Sequence, residues 1–177
     1  MNLVLMGVAG SGKTTVGRKL AARLGGRWRF CDADDFHSPA NLEKMRGKIP
    51  LTDADRAPWL DALRAHLDAG AARGESLMLA CSALKEAYRC RLTPAAGATR
   101  FVYLRADFAA ILPRLQHRRR HYLKAALLRS QFDALEEPAP GAALVVDATL
   151  PPDEIVARIL ADLAGPDPAR DSSPRGP

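Results

Sequence analysis

At 177 residues, with 47% apolar and 26% charged side chains, the chain has the make-up of one globular domain, long enough to bury a proper core. The net charge of +6 suits a nucleic-acid binder, and equally an enzyme whose two substrates are anionic, so charge alone does not choose between them. No stretch approaches a membrane span, the N-terminal apolar run is too short and lacks the basic flank of a signal peptide, and Cys31, Cys81 and Cys90 have neither metal-ligand spacing nor a disulfide framework, so a cytoplasmic location is expected.

The apolar run Leu3-Val4-Leu5-Met6 reads as a buried first strand. Directly after it, Gly7-Val8-Ala9-Gly10-Ser11-Gly12-Lys13-Thr14 fits the pattern G-x-x-x-x-G-K-[ST] at every fixed position. A glycine-rich segment by itself is a turn. Placed between a strand and a helix, with Lys and Thr in place, it is a phosphate-binding loop, in which backbone N–H groups and the helix N-terminus face phosphate oxygens. Gly7, Ala9, Gly10, Ser11, Gly12, Lys13, Thr14 and Thr15 are therefore the expected nucleotide contacts. Lys13 reaches the terminal phosphates, and the Thr14 hydroxyl ligates Mg²⁺.

Val16, Leu20 and Leu24 form one helical face that ends at Gly25-Gly26, and Trp28 to Cys31 is a second strand. At its end stand Asp32, Asp34, Asp35 and His37. In a parallel sheet, ligands gather at the carboxyl ends of strands, so this cluster is expected to face the same crevice as the phosphate loop; the alternative is a solvated turn. A short helix over Pro39 to Met45, a loop from Gly47 to Asp53 and a longer helix with Trp59, Leu60, Leu63 and Leu67 on one face make an insertion of about 38–74 before the third strand, Leu77 to Cys81. Small-molecule kinases with phosphate loops carry their acceptor-binding lobe in such an insertion.

Ser82-Ala83-Leu84-Lys85 leads into a helix that ends near Leu92, and Phe101 to Leu104 is the fourth strand. The next helix, starting at Ala106 or Asp107, has Phe108, Ile111, Leu112 and Leu115 on one face. Pro113 predicts a bend or a later start there, because a proline in a helix interior costs about 3 kcal/mol. The basic run 114–121 lacks the interleaved aromatics of a single-strand binding surface. A helix with Leu128, Phe132 and Leu135, a fifth strand Leu144 to Asp147 and a last helix from Asp153 to Leu163 complete a domain over 1–165. The Pro/Asp/Ser/Arg tail, 166–177, has almost nothing to bury and is expected to be disordered. Strands alternating with helices predict an α/β fold: a parallel sheet with helices on both faces.

With these segments in hand, the chain resembles the gluconokinases, small phosphate-loop kinases similar in fold to shikimate kinase. The resemblance spans nearly everything before the tail. It is carried by Gly7 to Thr14; by Asp32, Asp34 and His37; by Asn41, Lys44, Met45, Gly47, Pro50 and Leu51; by Asp53, Asp55, Arg56, Pro58, Trp59 and Leu60; by Cys81-Ser82-Ala83-Leu84-Lys85 with Tyr88 and Arg89; by Phe101, Tyr103 and Leu104; by Arg118 and His121; by Ser130-Gln131-Phe132 with Leu135, Glu136 and Pro138; and by Val146-Asp147. It implies a three-layer sandwich around a five-stranded parallel sheet in the order 2-3-1-4-5, with a lid at about 117–124. It also implies ATP with Mg²⁺, phosphorylation of the 6-hydroxyl of D-gluconate, and a homodimer.

Two departures stand out. Ala33 replaces the Gly usual between the two acidic residues, which requires ordinary backbone angles there or strain. Arg120 stands where such chains often have Gly before the His.

Charge and position within the matched blocks assign the roles. Thr14 and Asp32, the latter through water, hold Mg²⁺; Asp34 orients the acceptor hydroxyl and takes its proton. Arg56 and Lys85 are the candidate cations for the gluconate carboxylate, each with a surface ion pair as the rival reading. His37 either helps bind the sugar acid or packs against the following helix. His121 belongs with the substrate set, and Arg118 resembles the lid arginine that stabilises charge over the phosphates. Arg114 and Arg119 are as readily a solvated helix face.

The competing functions are phosphorylation of another small acceptor such as shikimate, and a nucleotide-dependent nucleic-acid-binding ATPase. The third strand leads into Cys-Ser-Ala-Leu-Lys rather than a glycine-rich acceptor loop, which speaks against shikimate. The acidic cluster would repel a phosphodiester backbone, and neither nucleic acid nor a membrane is an expected partner.

Overall fold

The computed structural model describes residues 1–26, 28–47, 49–93, 99–116 and 122–165. Five strands, β1 (Asn2–Met6), β2 (Trp28–Asp32), β3 (Ser76–Ala80), β4 (Thr99–Arg105) and β5 (Leu144–Asp147), form one sheet in the order β2-β3-β1-β4-β5. Every pairing is parallel, with Leu5 opposite both Ala80 and Val102 and Asp32 opposite Ala80. The expected strand order is therefore the one found.

Seven α-helices connect and cover the strands: α1 (Lys13–Leu24), α2 (Pro39–Arg46), α3 (Asp53–Ala72), α4 (Glu86–Leu92), α5 (Phe108–Gln116), α6 (Tyr122–Asp133) and α7 (Pro152–Ala164). Side chains alternate across a strand, and the buried set divides accordingly. Val4, Met6, Leu77, Leu79 and Tyr103 pack with α3 and α4 through Trp59, Leu60, Leu63, Leu67, Tyr88 and Leu92. Leu3, Leu5, Met78, Val102 and Leu104 pack on the other side with α1 and α7 through Val16, Leu20, Ile155, Val156 and Ile159. This accounts for the uninterrupted apolar runs of the inner strands, which must bury both faces.

A third, smaller core of Val8, Leu84, Ile111 and Leu128, flanked by Phe108 and Phe132, sets α5 and α6 over the phosphate loop. The helix α5 starts at Phe108, so Pro113 delays nothing. It sits inside the helix and withholds the N–H that would have bonded the Ala109 carbonyl.

The insertion between β2 and β3 is well capped. The Ser38 hydroxyl accepts the Asn41 N–H at the start of α2, with Pro39 at the first helical position. Thr52 and Asp55 form a reciprocal capping box at the start of α3. Asp55 also takes the Lys44 ammonium at 2.7 Å, and these hydrogen bonds, Lys44 first, hold its carboxyl down at about 2. The side chain of Asn41 donates to the Asp55 carbonyl at 2.9 Å, joining α2 to α3.

Between β2 and α2 the chain makes a 3₁₀ turn over Ala33–Phe36. Ala33 thus uses ordinary angles, and the glycine it replaces is not needed. Its side chain is buried, and its carbonyl accepts the Trp59 Nε1–H at 2.8 Å, which fixes the acidic turn against α3.

Candidate active site

The carboxyl ends of β1, β2 and β3 lie side by side, and the segments that leave them converge. From β1 comes the phosphate loop. Gly7, at φ +139°, could not carry a side chain: a Cβ there would stand 2.8 Å from the Leu104 carbonyl and 3.0 Å from Ser11 Oγ. Gly12 caps α1 in the left-handed region, at φ +96°. The Lys13 ammonium folds over the loop, donating to the carbonyls of Gly7 at 2.9 Å and Val8 at 3.0 Å. Ser11 is buried, and its hydroxyl has no partner among the described residues. A glycine cradle with an orphaned hydroxyl fits an anionic ligand that supplies oxygens.

From β2 comes the acidic turn. Asp32 accepts the Thr14 hydroxyl at 2.8 Å through one carboxylate oxygen and the Asp34 N–H at 3.2 Å through the other. A hydroxyl and a carboxylate in contact are hard oxygen donors of the kind Mg²⁺ takes, together with waters and phosphate oxygens. Among the described residues no cluster of three or more acidic, His or Cys side chains makes a closed metal cage.

The charges of Asp34 and Asp32 reach the Lys13 amine and raise its pKa, while its burial acts more strongly in the opposite direction and the net shift is downward. Asp34 responds in kind. Burial, then the charge of Asp32, push its carboxyl up; His37 and Lys13 pull it back in part. Each of the two side chains thus feels the charge of the other. Cys81, buried nearby, has its thiol pushed up to about 12, chiefly by burial, which favours the neutral form.

Of the residues singled out for the acceptor, His37 ends the acidic turn, Arg56 lies on α3 and Lys85 caps α4. The His37 ring stacks on Trp59, with centroids 4.6 Å apart and planes at 9°; its Nδ1 is buried without a partner, and burial lowers its pKa. Packing on a helix is thus what His37 does in this structure, with one polar atom left unsatisfied. Lys85 is ion-paired with Asp53 at 2.8 Å and lies over the Tyr88 ring, whose hydroxyl also donates to Asp53. Arg56 is different. Its charge is felt by His37, Asp53 and Tyr88, yet among the described residues its guanidinium has no hydrogen-bond or ion-pair partner. Arg118, Arg119, Arg120 and His121 lie outside the described residues, as do most of the lid expected at about 117–124 and the tail.

Several features were not foreseen from the sequence. Arg89, 8% exposed, donates from Nη1 to the carbonyls of Ala83 (3.2 Å), Leu84 (3.2 Å) and Glu136 (2.9 Å). Ala83 sits at φ +44°, the sole non-glycine in the left-handed region among the described residues. The Gln131 side chain accepts the N–H of Ala9 in the phosphate loop at 2.6 Å. Arg114 is exposed, as a solvated face would be, and also donates to the carbonyls of Ala148 at 2.7 Å and Thr149 at 3.4 Å beyond β5.

Comparison with known proteins decides among the phosphate-loop families. A family model described as an AAA domain matches residues 3–138. The gluconokinase of Gluconobacter oxydans is 46% identical over 77% of this chain and 75% of its own length. The chain belongs to the gluconokinase family. The thermosensitive gluconokinase of Escherichia coli is 43% identical over 77% of this chain and 72% of its own length. Among solved structures, a gluconokinase from Sinorhizobium meliloti superposes with a TM-score of 0.81 at 40% identity, covering 92% of this chain and 91% of that one.

The raised pKa of Asp34 has a consequence for stability. The folded protein binds this proton more tightly than the unfolded chain, so the group's favourable contribution is full below the ordinary carboxylate range and is lost as pH rises through the folded value. At pH 7 an ionised Asp34 is a cost. Asp34→Asn is expected to raise the melting temperature of the ligand-free protein at pH 7, with the gap narrowing toward about pH 3–4, where the wild-type group is protonated too. Calorimetry over that range checks it; a variant that melts below wild type at pH 7 would mean the cavity favours the carboxylate.

Proposed function

We propose that the protein transfers the terminal phosphoryl group of ATP to the 6-hydroxyl of D-gluconate, giving 6-phosphogluconate and ADP, and that it does so with the residues gathered at the ends of β1, β2 and β3. The observation that supports the residue assignment is the Thr14–Asp32 hydrogen bond at 2.8 Å, with the Asp34 N–H on the same carboxylate at 3.2 Å: it joins the helix that opens the phosphate loop's far side to the turn that carries Asp34. Family membership supports the substrate.

Phosphoryl transfer asks a protein to align two reactants and to neutralise charge on the moving group. The loop amides from Gly10 to Thr15 and the Lys13 ammonium hold the triphosphate. Thr14 and Asp32 would hold Mg²⁺, which when bound neutralises phosphate charge. Asp34 accepts a hydrogen bond from the 6-hydroxyl and takes its proton as the oxygen bonds to the γ-phosphorus and the bond to the β-phosphate oxygen breaks. A carboxylate with a raised pKa is a stronger base than an ordinary one, which suits it to this step.

Gluconate carries its own carboxylate at the other end of a linear polyol. Arg56 is the cation for it, because its guanidinium is unspent while Lys85 is held by Asp53. Asp53, Tyr88 and the His37 imidazole offer hydrogen bonds to the hydroxyls between. Arg118 and His121 keep their assigned roles over the phosphates and the acceptor, and a homodimer, by family likeness, remains part of the reading. So does a cytoplasmic location; no helix among the described residues is long and apolar enough to cross a membrane.

An acceptor panel tests the activity. Coupled to ADP release, D-gluconate is expected to dominate over shikimate, nucleoside monophosphates and neutral hexoses; turnover of shikimate above gluconate, or none with any acceptor, overturns the reading. Arg56→Ala is expected to raise KM for gluconate about 10- to 100-fold, as the loss of a charged hydrogen-bonding partner does, with kcat within a few-fold. Asp34→Asn should do the reverse, lowering kcat about 10²- to 10⁴-fold, the usual span for a positioned general base.

A further inference from the structure

The peptide unit joining Val8 to Ala9 is held at both ends. Its N–H donates to Gln131 Oε1 at 2.6 Å. Its carbonyl accepts from Lys13 Nζ at 3.0 Å and from the Ser11 N–H at 3.2 Å. A peptide unit is planar, with C=O and N–H pointing in opposite directions, so whatever fixes one end fixes the other. Gln131 therefore governs where the Val8 carbonyl faces, and that carbonyl is one of the two on which the Lys13 ammonium rests. A flipped unit would turn the Ala9 N–H into the loop and take the carbonyl away from Lys13.

Gln131 is well placed to act as such a fixture. It sits on α6, whose neighbouring turn is anchored on α5. Phe132 packs edge-on against Phe108 at 5.7 Å between centroids, the Arg129 guanidinium lies 4.1 Å over the same Phe108 ring, and Leu128 is fully buried. Because the bonded partner is an N–H, the Gln131 carboxamide must present its oxygen, not its NH₂, to the loop. An acceptor at this length is the property the contact requires.

We propose that Gln131 is a positioning residue for phosphoryl transfer: by accepting the Ala9 N–H it locks the Val8–Ala9 peptide so that the Lys13 ammonium is poised for the terminal phosphates. This rests on the kinase reading above and adds to it a residue that touches neither substrate. It also ties the phosphate loop to α6, the helix that begins directly after residues 117–121 with Arg118.

The test compares Gln131→Met, of similar length but without the oxygen, with Gln131→Glu, which retains an acceptor. Gln131→Met is expected to lower kcat at least 10-fold while KM for gluconate changes less than about 3-fold. Gln131→Glu should recover most of kcat and show its cost in a raised KM for ATP, since it brings a negative charge to the loop. Wild-type kcat in Gln131→Met, or equal loss of kcat in both variants, overturns the proposal. If Gln131→Met does not fold, hydrogen exchange of the wild-type Ala9 amide decides: strong protection supports the lock, and exchange at the rate of an open loop sinks it. Inactivity of the wild type toward gluconate would strike at the kinase reading instead, and the Ala9 exchange measurement stays informative in that case.

Discussion

The hydrogen bond between the Thr14 hydroxyl and Asp32 joins the first turn of α1 to the last residue of β2, and the chemistry depends on that junction. A parallel sheet delivers all its strand ends to one edge, but it does not decide how far apart the side chains there will stand. The Thr14–Asp32 contact sets that distance for the first two strands. Asp34, two residues on, is bonded through its own N–H to the same carboxylate. Trp59 secures the turn from behind by bonding the Ala33 carbonyl. Donor side and acceptor side are thus positioned by three neutral or singly charged hydrogen bonds, not by an ion pair that would consume the charges the reaction uses.

A division of labour among the basic residues follows the same logic. Lys85 is neutralised by Asp53, Lys44 by Asp55, and Arg114 is spent on two carbonyls. Arg56, on α3, is left without such a partner among the described residues. Spent cations shape the walls; an unspent one is available to an anion.

The strands, the phosphate loop and the acidic turn were legible in the sequence because each is a local pattern: an apolar run, a fixed spacing of Gly, Lys and Thr, a cluster of Asp at a strand end. The resemblance supplied the order of the strands, which periodicity alone does not determine. Arg89, Gln131 and Arg114 were not legible in the same way. Each makes its contact with backbone groups far along the chain, and a backbone carbonyl or N–H leaves no mark in the letters. Ala33 and Ala83 show the limit from the other side. By its letters Ala33 is the candidate for strain, yet it sits in an ordinary 3₁₀ turn, while Ala83, which nothing in the sequence marks, carries the positive φ. In Pro113 a correct local rule met tertiary packing: Ile111, buried in the small core over the loop, holds α5 together despite the missing N–H.

Arg89 brings a permanent positive charge into the interior, where its hydrogen-bond partners among the described residues are carbonyl dipoles. Those dipoles solvate it without cancelling it. Enclosed by protein, its field is far less attenuated by dissolved ions than that of a surface lysine. Two of its partners, Ala83 and Leu84, belong to the loop that follows β3. The loop that follows β3 thus rests on a fixed positive charge that changes in salt concentration do little to mask.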